Sequence, residues 1–274
     1  METKTCKLWP TDEYLMKNLY KESSMPIAIY EFPLCEKVRN YLRLEQLFKQ
    51  LDHTSSSINE CDSLYFFDVL FTLLDLLERL DVRTDFIRDI DVHEKNLVHW
   101  SSHPNIDTSA LEGALKTLHR LLSELKRTNK LGSSLKDDRF LSSIRQRFSI
   151  PGGATSFDLP HLFCWLKQSQ ELRDSDIAMW VQQLSLVREN ITLLMQFLRE
   201  KGRFEEVVGA NGFYQGVVTD KIDLIRVRCA NSEGYYPILS GNKYRYGIRF
   251  MLLAPEQGAS SGVPKEIKFE IACC

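Results

Sequence analysis

No stretch of this sequence stays apolar for long. Charged residues interrupt every leucine-rich segment before it reaches the roughly 18 residues that span a bilayer, so no membrane-spanning helix is expected. Net charge is also missing: 35 Lys and Arg face 37 Asp and Glu, leaving −2 at pH 7. No bulk basic excess therefore marks a nucleic-acid binder, and electrostatic recognition must rest on local clusters. The seven cysteines include no CxxC pair, and their odd number fits free thiols in a reducing, cytoplasmic compartment. The six histidines make no metal motif, because His99 and His103, though four apart, are separated by the start of the loop Ser101-Ser-His-Pro-Asn105 rather than sharing one helical face. The segment before Met25 is charged and lacks the apolar core of a secretory signal.

Signatures of catalysis are equally absent. Gly258-Ala-Ser-Ser-Gly262 matches GxSxG but falls in the Gln257–Gly262 loop rather than at a strand-to-helix elbow, and there is no GxGxxG and no P-loop Lys-Ser/Thr pair. Carboxylates are plentiful, but they fall at helix caps and on helix surfaces. Neither an enzyme, a metal site, a cofactor nor a small-molecule substrate is expected.

What is present is a change of period. With 43% hydrophobic residues the chain can bury a full core. Up to about Lys201 apolar residues recur at helical spacing. Val38, Tyr41, Leu42, Phe48 and Leu51 define one apolar face of a helix, with Arg39 and Arg43 four apart on a different face. Leu64 to Leu80 carries more apolar residues than one stripe holds, which predicts a central helix capped at Asp62-Ser63; Arg79 near its end suits the helix dipole. Thr84 is the expected cap of the next helix, and Asp174 that of one long helix ending at Gly202. Beyond Gly202 the period becomes two, as in Tyr244, Tyr246, Ile248 and Phe250, with turns at Asn211-Gly212 and Ser240-Gly-Asn242. The expected class is α+β: an N-terminal extension over 1–28, an α-helical domain over 29–202 and an antiparallel β-domain over 203–274.

Two features could carry recognition. Arg139 to Pro160 runs from a basic helix into Gly152-Gly153 and restarts at a proline; without the residues of a P-loop, these glycines read as a tight turn rather than a phosphate cradle. On the strand, Lys243, Arg245 and Arg249 project to the side opposite the aromatic set, and Gly247 leaves room in that row. The row is either a solvated strand face or a binding face. Arg139, Arg145 and Arg147, with Arg39 and Arg43, offer a second basic patch or a set of interhelix ion pairs.

Several uncommon strings occur in one order: Phe32-Pro-Leu, Glu36-Lys-Val-Arg, Asp138-Arg-Phe-Leu, Arg145-Gln-Arg-Phe-Ser-Ile-Pro-Gly-Gly, Asn211-Gly-Phe-Tyr-Gln, Ile248-Arg-Phe-Met and the ending Phe269-Glu-Ile-Ala-Cys-Cys274. From about Ile29 onward the chain resembles the ZapD family of bacterial cell-division proteins. The resemblance implies a cytoplasmic homodimer at the mid-cell division site that binds the C-terminal tail of FtsZ and cross-links FtsZ filaments into bundles, without enzymatic activity. By position it implies tail binding by Arg245 and Arg249, with Lys243, and more weakly by Arg139, Arg43, Arg39 and Arg79. It also makes Met25 the expected start, since relatives begin near Ile29. The alternative reading is a nucleic-acid-binding protein using the basic strand face; no nucleic-acid or membrane partner follows from the resemblance.

Overall fold

The computed structural model describes residues 27–55, 59–100, 108–218, 221–230, 234–241, 244–253 and 261–274. Within them the architecture is α+β, with helices first and antiparallel strand pairs in the C-terminal part. Two compact units result: a helical unit, Pro33–Gly202 with Cys274, and a strand unit that combines residues 27–32 with Arg203–Cys273.

The helical unit contains α1 (Glu36–Ser55), α2 (Glu60–Arg79), α3 (Val82–Trp100), α4 (Thr108–Arg127), the short α5 (Ser133–Lys136), α6 (Arg139–Phe148), α7 (Pro160–Leu166), α8 (Gln170–Gln182) and α9 (Ser185–Lys201). Helix α2 is the centre, as its excess of apolar positions predicts. Phe66, Phe67, Leu70, Leu73 and Leu74 are almost wholly buried. The Phe67 ring lies 5.2 Å from Trp165, 5.4 Å from Phe66, 5.7 Å from Trp180 and 6.0 Å from both Phe140 and Phe148. One residue thereby joins α2 to α6, α7 and α8 through edge-to-face and tilted contacts. The indoles are satisfied at their polar edges: Trp165 Nε1 donates to Asp176 at 2.8 Å and Trp180 Nε1 to Asp138 at 3.2 Å. Asp138 also caps α6, accepting from the Leu141 amide at 2.9 Å.

Two helix starts and one long helix differ from the sequence reading. Asn59, not Asp62-Ser63, caps α2, because its side chain accepts from the Asp62 amide at 2.8 Å. Asp81 takes the capping role ahead of Thr84, whose amide it receives at 3.3 Å. The helix at Pro160 starts without a side-chain cap at Leu159; Thr155 and Asp158 instead bond to one another. The long helix expected from Asp174 is two helices, since the Gln183 and Leu184 amides bond three residues back and tighten the last turn of α8. At the double glycine, Gly152 has φ +72°, and a Cβ on Gly153 would lie 2.3 Å from the Arg147 carbonyl oxygen. That turn is built for chain reversal.

The strand unit holds two sheets. One has the order β1 (Ile27–Pro33), β4 (Leu224–Ala230), β7 (Ile267–Cys273), β2 (Glu205–Gly209); the other has β3 (Phe213–Val217), β6 (Arg245–Leu252), β5 (Tyr235–Gly241). The pairs β2–β7, β4–β7, β3–β6 and β5–β6 are antiparallel. Residues 29–32, assigned from sequence to the helical domain, belong with the sheet: β1 hydrogen-bonds beside β4, and Glu31 receives Arg226 Nε at 3.0 Å. Residues 1–26 of the expected extension, Met25 among them, lie outside the described residues. Phe250 of one sheet meets Phe269 of the other with ring centroids 5.0 Å apart, and Tyr214 meets Phe269 at 5.6 Å. The unit's core is therefore the aromatic layer between the two sheets.

Phe67→Ala is expected to lower unfolding free energy by about 3–5 kcal/mol, read as a fall in the urea midpoint. A loss below about 1 kcal/mol would remove Phe67 from its central place.

Candidate partner-binding surfaces

On α1, positions 39, 42, 43, 46 and 47 share one face at the i, i+3, i+4, i+7, i+8 spacing, while Val38, Tyr41, Leu44, Phe48 and Leu51 face the core. On α2, Thr72, Asp75, Leu76 and Arg79 repeat that spacing. The two faces and Pro33 bound a groove of about 650 Å³. Half-buried Leu42, Leu47 and Leu76 form its floor, and Arg39, Arg43 and Arg79 stand around it. Arg39 pairs with Glu36 at 2.5 Å, and Arg43 approaches the same carboxylate at 3.8 Å. No ion pair of Arg79 occurs among the described residues.

Helix α1 is anchored from its other flanks. Lys37 Nζ lies 2.7 Å from Asp89 Oδ1 on α3, and the Tyr41 hydroxyl donates to Asp89 Oδ2 at 3.0 Å. Burial and that neighbouring carboxylate push the Tyr41 hydroxyl pKa up, so it stays a donor. Arg199 of α9 donates two bonds to Glu45, at 2.6 and 2.7 Å. This bidentate pair holds the Glu45 carboxyl below its ordinary pKa, against the opposing effect of burial.

The second surface is the outer side of the three-stranded sheet. Along β6, Tyr246, Ile248 and Phe250 are buried while Arg245 and Arg249 are exposed. Register places Phe213 and Ile238 on either side of Arg249, and Val217 opposite Arg245. The Arg249 guanidinium lies 5.5 Å from the Phe213 ring centroid, a cation–π contact. Gly247 sits between Gln215 and Ser240 at a depression of about 350 Å³, which Arg245 also lines. A Cβ at Gly247 would come within 3.1 Å of Phe213 Cε2. The room left by this glycine is therefore partly filled by the Phe213 ring, and the open depression lies beside it.

The structure thus gathers Arg39, Arg43 and Arg79 in one groove and Arg245 with Arg249 on one sheet face. Arg139 is exposed at the first turn of α6 and lines neither surface, and Lys243 lies outside the described residues. Arg145 and Arg147, read as possible members of a basic patch, are engaged elsewhere: Arg145 with Asp75 and Glu78, Arg147 with Asp158 at 3.6 Å. Sequence reasoning missed Leu47, Asp75 and Phe213, and it put Leu42 on the core face, whereas the helical register sets Leu42 beside Arg39 and Arg43 in the groove. The one signal for the groove was the apolar surplus of α2, which Leu76 brings to the surface.

Among the described residues no cluster of His, Cys, Asp and Glu is placed to hold a metal ion, and no helix is long and apolar enough to cross a membrane. Cys35, Cys61, Cys164, Cys229, Cys273 and Cys274 are free thiols.

The α+β scaffold thus carries two arginine-bearing, partly apolar surfaces. The ZapD family, described as a cell division protein, matches residues 42–249. Proteins named Cell division protein ZapD are 38% identical in Pectobacterium carotovorum over 90% of this chain and 97% of the relative. In Serratia proteamaculans the identity is 38% over 91% and 98%, and in Escherichia coli 37% over 90% and 98%. The chain belongs to the ZapD family of cell division proteins.

The Glu45–Arg199 pair gives a pH prediction. Because the folded carboxyl titrates below its ordinary value of 4.5, its contribution is present above that value and lost as pH falls through the folded one. Wild type should lose thermal stability on acidification more steeply than Glu45→Gln, which is less stable at pH 7. Parallel pH profiles of melting temperature would contradict this.

Proposed function

We propose that the protein binds the acidic, partly apolar C-terminal tail of FtsZ and, as a homodimer in the cytoplasm at mid-cell, cross-links FtsZ filaments into bundles without catalysing a reaction. The observation that carries this reading is the groove: a leucine floor edged by Arg39, Arg43 and Arg79. An apolar floor can hold tail hydrophobes, and the arginines can pair with tail carboxylates, which gives a salt-sensitive contact of electrostatic capture and apolar anchoring. The sheet face offers the same chemistry, with Arg245 and Arg249 beside Phe213, Val217 and Ile238. Arg139 and Lys243 are proposed as supporting charges. A dimer would double each surface, and avidity toward filaments that display many tails would convert weak contacts into bundling.

The test is co-sedimentation with FtsZ filaments, intact and lacking the C-terminal tail. Wild type should pellet with intact filaments and not with truncated ones. Arg43→Glu with Arg79→Glu, and separately Arg245→Glu with Arg249→Glu, should each reduce co-pelleting at least about tenfold while light scattering still reports a dimer. Full bundling by both double variants, or by tail-less filaments, would refute the assignment.

A further inference from the structure

The arginine-edged groove contains one acid. Asp75 lies in its α2 wall, beside Leu76 and one turn from Arg79, and its side chain is 47% exposed. A lone carboxylate there would oppose the arginines and repel an acidic ligand.

It is held from behind. Arg145, reaching from α6, donates through Nη2 to Asp75 Oδ1, and the same nitrogen lies 3.0 Å from Glu78 Oε1. Lys136 of α5 also pairs with Glu78. Two carboxylates thus meet two cations, and the set sums to zero formal charge. Arg145 is only 25% exposed and lines a separate cavity of about 550 Å³; Thr72 and Asp75 line both that cavity and the groove. Arg145 does not line the groove itself.

We propose that Arg145 is a positioning residue for ligand binding in the groove: from the neighbouring cavity it fixes and neutralises Asp75, and this sets the preference of the groove for acidic, apolar peptides. The inference rests on the tail-binding reading above. Its signature is that the two halves of one ion pair act in opposite directions. Removing Asp75 leaves a surplus cation behind the wall, whereas removing Arg145 leaves an uncompensated carboxylate in it. At separations within a Debye length, either change reaches the ligand.

The experiment is fluorescence anisotropy with a labelled FtsZ C-terminal tail peptide at low and high salt. Asp75→Asn should bind at least roughly threefold more tightly than wild type, and Arg145→Gln at least roughly threefold more weakly. The double variant should return to the wild-type value, and all differences should shrink at high salt. Asp91→Asn, which opens the ion pair with Lys95 on α3, serves as the control for net charge and should leave affinity unchanged. Weakening by both single variants together with lowered melting temperatures means a structural pair only and overturns the inference. Equal affinities among all variants overturn it as well. If wild type does not bind the peptide, the tail reading falls, and the same variants are titrated with the anionic apolar dye ANS; the same order of affinities upholds the role of Arg145, and equal affinities overturn it.

Discussion

Everything in the helical unit depends on the packing around Phe67. Its ring is fully buried and touches aromatic partners from α6, α7 and α8 as well as Phe66 on its own helix. Close-packed interiors do not deform continuously, so this cluster fixes the rotation of α2 about its axis. The rotation decides which residues α2 shows on its other side. Thr72, Asp75, Leu76 and Arg79 face the groove because Phe66, Phe67, Leu70 and Leu74 cannot leave the core. Helix α1 is set by a different means, through Asp89 and Arg199. The groove is thus the seam between a helix held by aromatic packing and one held by buried faces and charge pairs.

Some charges of this unit join one helix to another, and others pair only within their own helix. Arg145, Lys136, Arg199 and Lys37 reach carboxylates on other helices and are at most 28% exposed. Partly desolvated pairs of this kind fix geometry. Arg39 and Arg43 instead meet Glu36 on their own helix, with all three side chains 47–63% exposed. Exposed pairs of that kind contribute about 0–1 kcal/mol and exchange readily. A carboxylate from a ligand can therefore displace Glu36, whereas displacing Glu45 from Arg199 would loosen α1. Exposure, more than residue type, separates Arg39 and Arg43 from Arg145 and Arg199.

That distinction also explains what was legible in the sequence. Spacing alone put Arg39 and Arg43 on a face of α1 away from the core, and alternation put Arg245 and Arg249 on the outer side of β6. Both are properties of one element. The change of period near Gly202 and the turn at Gly152 were readable for the same reason. What failed needed two elements at once. Arg79 read as a dipole partner at a helix end, since its place across from Arg43 depends on how α1 packs on α2. Arg145 read as part of a basic patch because Asp75 is 70 residues away in sequence. Residues 29–32 read as part of the helical domain that follows them, because their pairing with β4 joins positions such as Glu31 and Arg226 that are 195 residues apart. Local caps shifted by a few residues where Asn59 and Asp81 competed successfully with downstream polar neighbours.

The two candidate surfaces present the same pairing of chemistries by different routes. On the sheet, Arg249 lies over Phe213, so its charge is held beside an aromatic ring at 5.5 Å and loses little freedom on meeting an acid. In the groove the apolar element is a leucine floor and the cations are on exposed side chains at its edge. A peptide that alternates acidic and apolar residues satisfies either. A polyanion without hydrophobes would satisfy only the charges and leave Leu42, Leu47 and Leu76 exposed to water. Burying those three side chains is favourable by about 25 cal/mol per Å² of apolar area covered, and this term survives high salt while the charge term does not. Residual binding at high salt therefore separates an amphipathic peptide ligand from a simple polyanion.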